Sequence, residues 1–531
     1  MYLLAVNFIL PWSIHIQSMA KYEADVVIIG SGFGGSMMAH KMSAAGKSVI
    51  IIERGDWVKR GPHNWGSSGS IDLTPNYDKT NPYRVVEGGN KPEMGAYTAV
   101  GGPSLFYGGV SFRMREEDFL PPEEIIADSG ASWPISYQDL ERYYGEAERL
   151  LNISGEAGVD PTEPPRTTAY PQSIGPYADV SLKIKGAAES LGLHPFRLPL
   201  AINYHDKDRS VCQLCTTCDT FACAISAKND LDTMLLQGLK KGGVRIIAHT
   251  IANEIRQDGQ RCTSINCLDL KTDESFEVSG HTVILSAGAL ASPHLLLNSE
   301  LDKLNPAGHA IGRYLMRHTN AIVFGIFPGT ADKQIRYHKE LAIMDYYLGH
   351  PEVDFDGKRI GSLQQVPTPP RGLVEREAPK PLGKVLGMAV KLITGLLAIA
   401  EDQPRFDNYI KLDTSLPAKL GMAAPEVSHV YSDRDQAAIK VLIEQAKKIM
   451  KRSGAISNYV HHIRTFSHTV GTVRMGDDPN QAPLDRNCKF RGLDNLYVVD
   501  GSFMPTSAAV NPSLTISANA LRVADHILVH S

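Results

Sequence analysis

The sequence predicts an α/β fold, α+β overall, in which a Rossmann-like dinucleotide-binding domain is interleaved with a sheet-based second domain. Three observations carry this. An apolar run near the N-terminus opens into a glycine fingerprint, similar strand-like runs recur late in the chain, and 531 residues are too many for one compact core.

The first element is Asp25-Val26-Val27-Ile28-Ile29, an unbroken apolar run of the kind a parallel strand shows when both its faces are covered. It runs into Gly30-Ser31-Gly32-Phe33-Gly34-Gly35, which fits G-x-G-x-x-G at Gly30, Gly32 and Gly35. A helix to Ala45 follows, then a second strand, Ser48 to Ile52, ending at Glu53 and Arg54. Gly30 allows the tight turn, Gly32 lets backbone approach a pyrophosphate, and Gly35 lets helix and strand pack closely. The helix N-terminus faces the phosphates. Glu53 is placed to accept ribose hydroxyls, which argues against a 2′-phosphate and so against NADP.

Further elements continue the pattern. Val100 to Val110 holds a glycine-rich loop (Gly101, Gly102, Ser104, Tyr107, Gly108, Gly109) whose small residues let backbone amides lie against a flat ring system. Val244 to Ala248 reads as a short strand that sets Thr250 and Ile251 beside an adenine. Val283 to Ser286 is another buried strand, ending in Ala287 and Gly288. Leu496 to Val499 is a strand closing on Asp500 and Gly501, and a helix is predicted over 513–526. The run Leu382 to Ala400 reads as a core-packed helix or a lid, and the proline-rich stretch 367–381 as a mobile loop over a pocket.

Hydrophobic content of 43%, charged content of 21% and a net charge of −4 are those of a globular protein with no call for nucleic acid. No run reaches the roughly 18 uncharged apolar residues of a membrane span, since Leu382 to Ala400 is interrupted by Lys384 and Lys391. Residues 1–18 are apolar but lack a basic n-region, so they fit a secretory signal poorly, and Met19 is a candidate start. The expected location is the cytoplasm, with the periplasm as the alternative.

Chemistry concentrates near the C-terminus. Phe466 to Gly476 contains His468, and Asn511-Pro512-Ser513-Leu514-Thr515-Ile516 follows. A histidine and an asparagine brought to a redox dinucleotide point to alcohol oxidation, with His468 taking the hydroxyl proton and the Asn511 amide holding the oxygen. His461 and His462 lack partner motifs and are read as solvated or structural. Four of the seven cysteines, Cys212, Cys215, Cys218 and Cys223, have the spacing C-x2-C-x2-C-x4-C, close to a ferredoxin run. An iron–sulfur cluster, a zinc site, local disulfides and free thiols all remain open for them.

Together these motifs resemble the glucose–methanol–choline (GMC) family of FAD-dependent oxidoreductases over nearly the whole chain, about Ala24 to His526. Gly288 to Leu297 is similar to the family's second signature, although Ser299-Glu300-Leu301 departs from its usual close, and Ile311-Gly312-Arg313-Tyr314-Leu315 is similar to V-G-R-N-L. The Asn-Pro-Ser-Leu-Thr-Ile wording is nearest the pyranose oxidase, gluconate dehydrogenase and fructose dehydrogenase branches. The resemblance implies FAD held at Gly30, Gly32, Phe33, Gly34, Gly35, Glu53 and Arg54, by the 101–109 loop, and by Asp500, Gly501, Asn511 and Pro512. It also implies that some relatives carry a cluster near the cysteine position and that helix 513–526 points its positive end at the flavin. Relatives with a covalent flavin place a histidine where this chain has Phe106, so the FAD is expected to be noncovalent. The domains expected are an extension (1–23), an FAD-binding domain (24–120, 211–320 and 465–531), and a substrate-binding domain with lid (121–210 and 321–464). The expected reaction is oxidation of a sugar, polyol or glycoside hydroxyl, with an electron-transfer subunit as a possible acceptor. The alternatives are isomerase or lyase chemistry on the same fold, or oxidation of an apolar alcohol or sterol.

Overall fold

The computed structural model describes residues 21–86, 92–329, 339–377 and 381–530. The expectations for residues 1–18 and Met19, and for part of the proline-rich loop, fall outside these residues. Three sheets organise the chain. The first runs Arg245–Ile247, Val49–Ile52, Lys21–Ile29, Ser275–Leu285, Arg261–Asp269 and Thr250–Asp258, with Leu496–Val498 also pairing to Ser275–Leu285. Its core is parallel, with Val26 opposite Val49, Val27 opposite Val283, and Leu496 opposite Val283. The apolar run expected as a strand over 25–29 is therefore central, and Val27 and Ile28 are fully buried.

Helix Phe33–Ala44 follows the glycine loop and packs against helix Ser513–His530. Both bury apolar side chains: Met37, Met38, Ala39 and Met42 on the first, Ala518, Leu521 and Ala524 on the second.

The second sheet is antiparallel, in the order Ser457–His462, Thr319–Ile326, Ile393–Ala400, Ser362–Val366, Leu341–Ile343 and Phe196–Arg197. Helix Asp433–Arg452 covers it, burying Ala438, Ile439, Leu442, Ala446 and Ile449 at helical spacing. Ser432 and Asp435 form its capping box.

Here the expectation for Leu382 to Ala400 is corrected. Only Gly383–Met388 is α-helix, and Ile393–Ala400 is a central strand. The apolar run beyond Lys391 has the length of a strand covered on both faces, and Gly395 lets it approach its neighbour closely. A Cβ there would stand 2.8 Å from Val366 Cγ2. Within the proline-rich stretch, Arg371–Glu377 is a short helix.

The third sheet joins Tyr409–Asp413, Ala424–Ser428, Tyr77–Val86 and Glu93–Tyr97. It ties the N-terminal segment to the region after residue 400. Among the described residues no helix is long and apolar enough to cross a membrane.

Candidate active site

The parallel strands of the first sheet deliver the expected cofactor residues from their carboxyl ends: Ile29 to Gly30, Ile52 to Glu53, Leu285 to Ser286 and Val498 to Asp500. Ligands of open α/β sheets bind in the crevice these ends border. The glycines are required by packing. A Cβ on Gly35 would sit 2.0 Å from Gly30 O, and one on Gly30, at φ +98°, 2.3 Å from Ser286 O. Gly32 and Gly288 differ, since nothing lies within 4 Å of a Cβ built on either. Gly32 immediately precedes helix Phe33–Ala44, and Ser286 Oγ, which a Cβ on Gly34 would approach to 2.8 Å, is buried with no hydrogen-bond partner among the described residues. Room at the glycines, amides at a helix start and an unused hydroxyl fit the pyrophosphate of FAD.

Glu53 is buried at the crevice. Its Oε2 accepts from Ser31 N (3.0 Å) and Ser31 Oγ (2.6 Å), and its Oε1 from Gly55 N (2.8 Å). Burial raises its pKa, against the lowering effect of these bonds. Thr250 N donates to Glu53 O at 2.9 Å, which seats Thr250 at this end of the crevice. The neighbouring Ile251 lies in the main apolar core. Arg54 is turned onto Asp78.

Asp500 ties two segments together. Its Oδ2 accepts from Gly288 N (3.0 Å) and Ser292 Oγ, and its Oδ1 from Ser502 N (2.9 Å) and Ser502 Oγ. Ala287 N is held by Ser292 Oγ at 3.2 Å.

The second glycine loop abuts the first. Gly101 N donates to Ser31 Oγ at 2.8 Å, and a Cβ on Gly102 would stand 3.2 Å from Gly32 Cα. Ser104 Oγ donates to Gly101 O and accepts from Leu231 N, so it shapes the loop from inside. The ring of Tyr107 meets that of Phe33 edge-on. Phe106 packs with Ile71, Ala99, Leu105 and Ala222. Gly108 leaves space for an ion pair, Lys339 with Asp219 at 3.2 Å.

His468 and Asn511 meet as expected: Asn511 Nδ2 lies 3.2 Å from His468 Nε2. Gln364 Nε2 donates to Asn511 Oδ1 at 2.9 Å, and Gln364 Oε1 is buried without a partner among the described residues. The other side of His468 meets a residue that sequence reading did not single out. His318 Nδ1 is 3.2 Å from His468 Nδ1, and His318 Nε2 is 3.1 Å from Ser507 O. Backbone pairing explains this meeting. Met316 and Val470 form an antiparallel bridge, so His318, two residues after Met316, and His468, two residues before Val470, fall opposite one another. Burial, then the neighbouring His318 and Lys339, pushes the His468 pKa well below the usual histidine value.

The turn leading to Asn511 is pinned at successive residues. Thr506 Oγ1 accepts from Trp133 Nε1, and Ser507 Oγ donates to Asp402 Oδ1. Ala508 N donates to Glu401 Oε1, and Ala509 N to Tyr347 Oη. Pro512 then leads into helix Ser513–His530, where Ser513 Oγ reaches Val110 O at the end of the second glycine loop. His461 and His462 are exposed, as expected.

The metal expectation is not met. All seven cysteines are free, and among the described residues no group of three or more His, Cys, Asp or Glu side chains is arranged to hold an ion. Burial pushes the Cys212 thiol up to about 12 and the Cys218 thiol well above the usual thiol value, which favours the protonated form of both. The segment folds onto Lys228, whose Nζ donates to the carbonyls of Tyr107, Cys218 and Phe221. That cation takes backbone oxygens as its partners, and it fixes the loop without drawing the sulfurs to a common point.

Comparisons with known proteins bear on this geometry. Two GMC oxidoreductase family models match residues 25–320 and 404–520. The chain is 28% identical to 6'''-hydroxyparomomycin C oxidase of Streptomyces lividus, over 95% of this chain and 91% of that protein. It is 28% identical to paromamine 6'-oxidase of Streptomyces fradiae, over 94% and 90%. It is 26% identical to the fructose dehydrogenase large subunit of Gluconobacter japonicus, over 96% of this chain and 99% of that protein. The fold is that of pyridoxine 4-oxidase from Mesorbium loti, with a TM-score of 0.66, 20% identity, and coverage of 96% of this chain and 99% of that one. It is also that of the Aspergillus oryzae formate oxidase studied for modification of its FAD, with a TM-score of 0.68, 14% identity, and coverage of 96% and 99%. The chain belongs to the GMC oxidoreductases, and it is an FAD-dependent enzyme that oxidises CH–OH groups.

Proposed function

We propose that His468 is the proton acceptor and Asn511 the oxygen-holding partner in oxidation of a sugar or polyol hydroxyl. The observation that carries this is the 3.2 Å approach of Asn511 Nδ2 to His468 Nε2, on a half-buried imidazole whose pKa is pushed well below the usual histidine value. A substrate hydroxyl set between them donates its proton to Nε2 and accepts from the Asn511 amide. FAD, when bound, accepts the hydride from the carbinol carbon, which leaves a carbonyl.

The same residues support a polyhydroxylated substrate. Gln364 Oε1 needs a donor, and a second hydroxyl beside the reacting one supplies it. Lys339 and Asp219 add a charged pair beside Gly108. The hydroxyparomomycin, paromamine and fructose enzymes among the relatives support this class. The fructose dehydrogenase relative is a large subunit, which supports a protein electron acceptor for this chain as well.

The test is anaerobic mixing of the FAD-loaded protein with a panel of sugars, polyols and simple alcohols, following loss of the flavin's visible absorbance. Bleaching by polyhydroxylated compounds, slowed by about 10²- to 10⁴-fold in His468→Asn, is expected. Asparagine is chosen because it tolerates the positive φ of this position. Wild-type bleaching rates in His468→Asn refute the assignment of the base.

A further inference from the structure

We infer that His318 is a positioning residue that sets the tautomer of His468. The inference rests on the reading of His468 as proton acceptor and extends it to a residue that needs no contact with substrate.

Ser507 O can only accept, so the 3.1 Å contact requires His318 Nε2 to carry a proton. His318 is fully buried, and burial lowers its pKa, so the ring is neutral. A neutral imidazole protonated on Nε2 has a lone pair on Nδ1. His468 Nδ1, 3.2 Å away, must therefore be the donor to it. The proton of neutral His468 is then on Nδ1 and its lone pair on Nε2, the atom that faces Asn511. Each link has one direction, and the direction is fixed by an atom that cannot donate.

This arrangement matters because a neutral imidazole side chain left to itself favours the proton on Nε2, which is the unproductive form here. It also holds through the reaction. When Nε2 takes the substrate proton, Nδ1–H remains bonded to the neutral acceptor on His318, so the imidazolium keeps a partner on that side.

The supports of His318 point the same way. Asp402 Oδ1 accepts from His318 N (3.0 Å) and from Ser507 Oγ (2.9 Å), and so holds the ring's own backbone and the residue whose carbonyl it bonds. Asp402 Oδ2 accepts from Arg317 N at 2.9 Å and faces His429 Nε2 at 3.2 Å. The anchor of the relay and the carrier of the relay thus hang from one carboxylate.

The test is histidine-selective 15N NMR of the FAD-loaded protein, with the His468 signals identified by their loss in His468→Asn. The expected wild-type pattern has the proton on Nδ1 and an unprotonated Nε2. A proton on Nε2 of His468 overturns the proposal by itself, with no substrate involved. Two variants extend the test. His318→Leu removes the acceptor, and a switch of His468 toward the Nε2–H form is expected, with kcat lowered by about 10- to 100-fold and KM little changed. His318→Asn restores an acceptor near the Nδ1 position and suits the positive φ, so the Nδ1–H pattern and most of kcat should return. A His318→Leu enzyme with wild-type kcat and an unchanged His468 pattern overturns the proposal. If His318→Leu fails to hold FAD, the wild-type tautomer and the His318→Asn enzyme decide it.

Discussion

Replacing Asn511 by aspartate probes the site's electrostatics through one atom. In the native site His468 Nε2 meets an amide donor at 3.2 Å and has no counter-charge, so burial keeps its pKa low. The acid limb of flavin reduction is therefore expected well below the usual histidine value, with equal rates at pH 6.5 and pH 8. Asn511→Asp sets a carboxylate oxygen against Nε2 while Gln364 continues to donate to the other oxygen. Two unit charges at this distance attract by about 5 kcal/mol at an effective dielectric of 20, which is worth about 4 pH units of imidazole basicity. Ionising both groups in a buried site costs several kcal/mol, so the net rise should be about one to two units. The sign is upward: below the new pKa Nε2 already holds a proton and accepts none, and activity returns only as pH rises through it. The assay is anaerobic stopped-flow bleaching of the bound flavin from pH 5 to 9 at saturating substrate. Asn511→Ala serves as the control, because it loses the donor without adding charge. Superimposable pH profiles for the two variants refute the placement of Asn511 against Nε2.

Three further outcomes are expected. Gly32→Ala should fold yet bind FAD weakly, because its Cβ meets no protein atom within 4 Å and enters the lane left for pyrophosphate. Gly35→Ala should lose both FAD and stability, since its Cβ would lie 2.0 Å from Gly30 O; equal thermal midpoints for the two variants contradict this division. Acid precipitation should release the flavin to the supernatant, because Phe106 packs in an apolar cluster and offers no atom for a tether; yellow protein in the pellet would show a covalent bond. Thiol titration in denaturant should find seven free cysteines and elemental analysis no iron, whereas iron with acid-labile sulfide would show that the segment 212–223 closes around a cluster.

The cofactor crevice was legible because its signals are local. A strand buried on both faces must be apolar throughout, and the glycines that follow it are dictated by contacts within a few residues or by the ligand itself. The His468 and Asn511 motifs were legible for the same reason, and the chain brings them together across the molecule. The strand Ile393–Ala400 was not legible, because an apolar run of that length suits a buried helix as well as a central strand. Its neighbours, Thr319–Ile326 and Ser362–Val366, decide the matter. The cysteine spacing left a cluster, zinc, disulfides and free thiols open for the opposite reason. It is a local pattern, but the loop's path is set by Lys228 and the carbonyls it gathers, which no spacing records.

His318 was invisible for a different physical reason, and its conformation shows what the fold invests at this site. The chain has 18 histidines, and this one follows the Ile311 to Leu315 motif with no nearby partner. Its significance is created by the Met316–Val470 bridge, which sets it opposite His468. Both rings stand on residues at φ +60°, and Ala508 beside Ser507 is at φ +56°. Non-glycine residues in this region cost about 1 to 3 kcal/mol each and persist only where their surroundings over-determine them. Here the surroundings are identifiable: Asp402 on His318 and Ser507, Glu401 on Ala508, and Tyr347 on Ala509. Glycine at any of the three positions would relieve the strain, but at 318 or 468 it would also remove a ring of the relay. The strain is therefore held where the proton-accepting nitrogen is aimed, and the buried carboxylates that hold it act on catalysis from outside the substrate's reach.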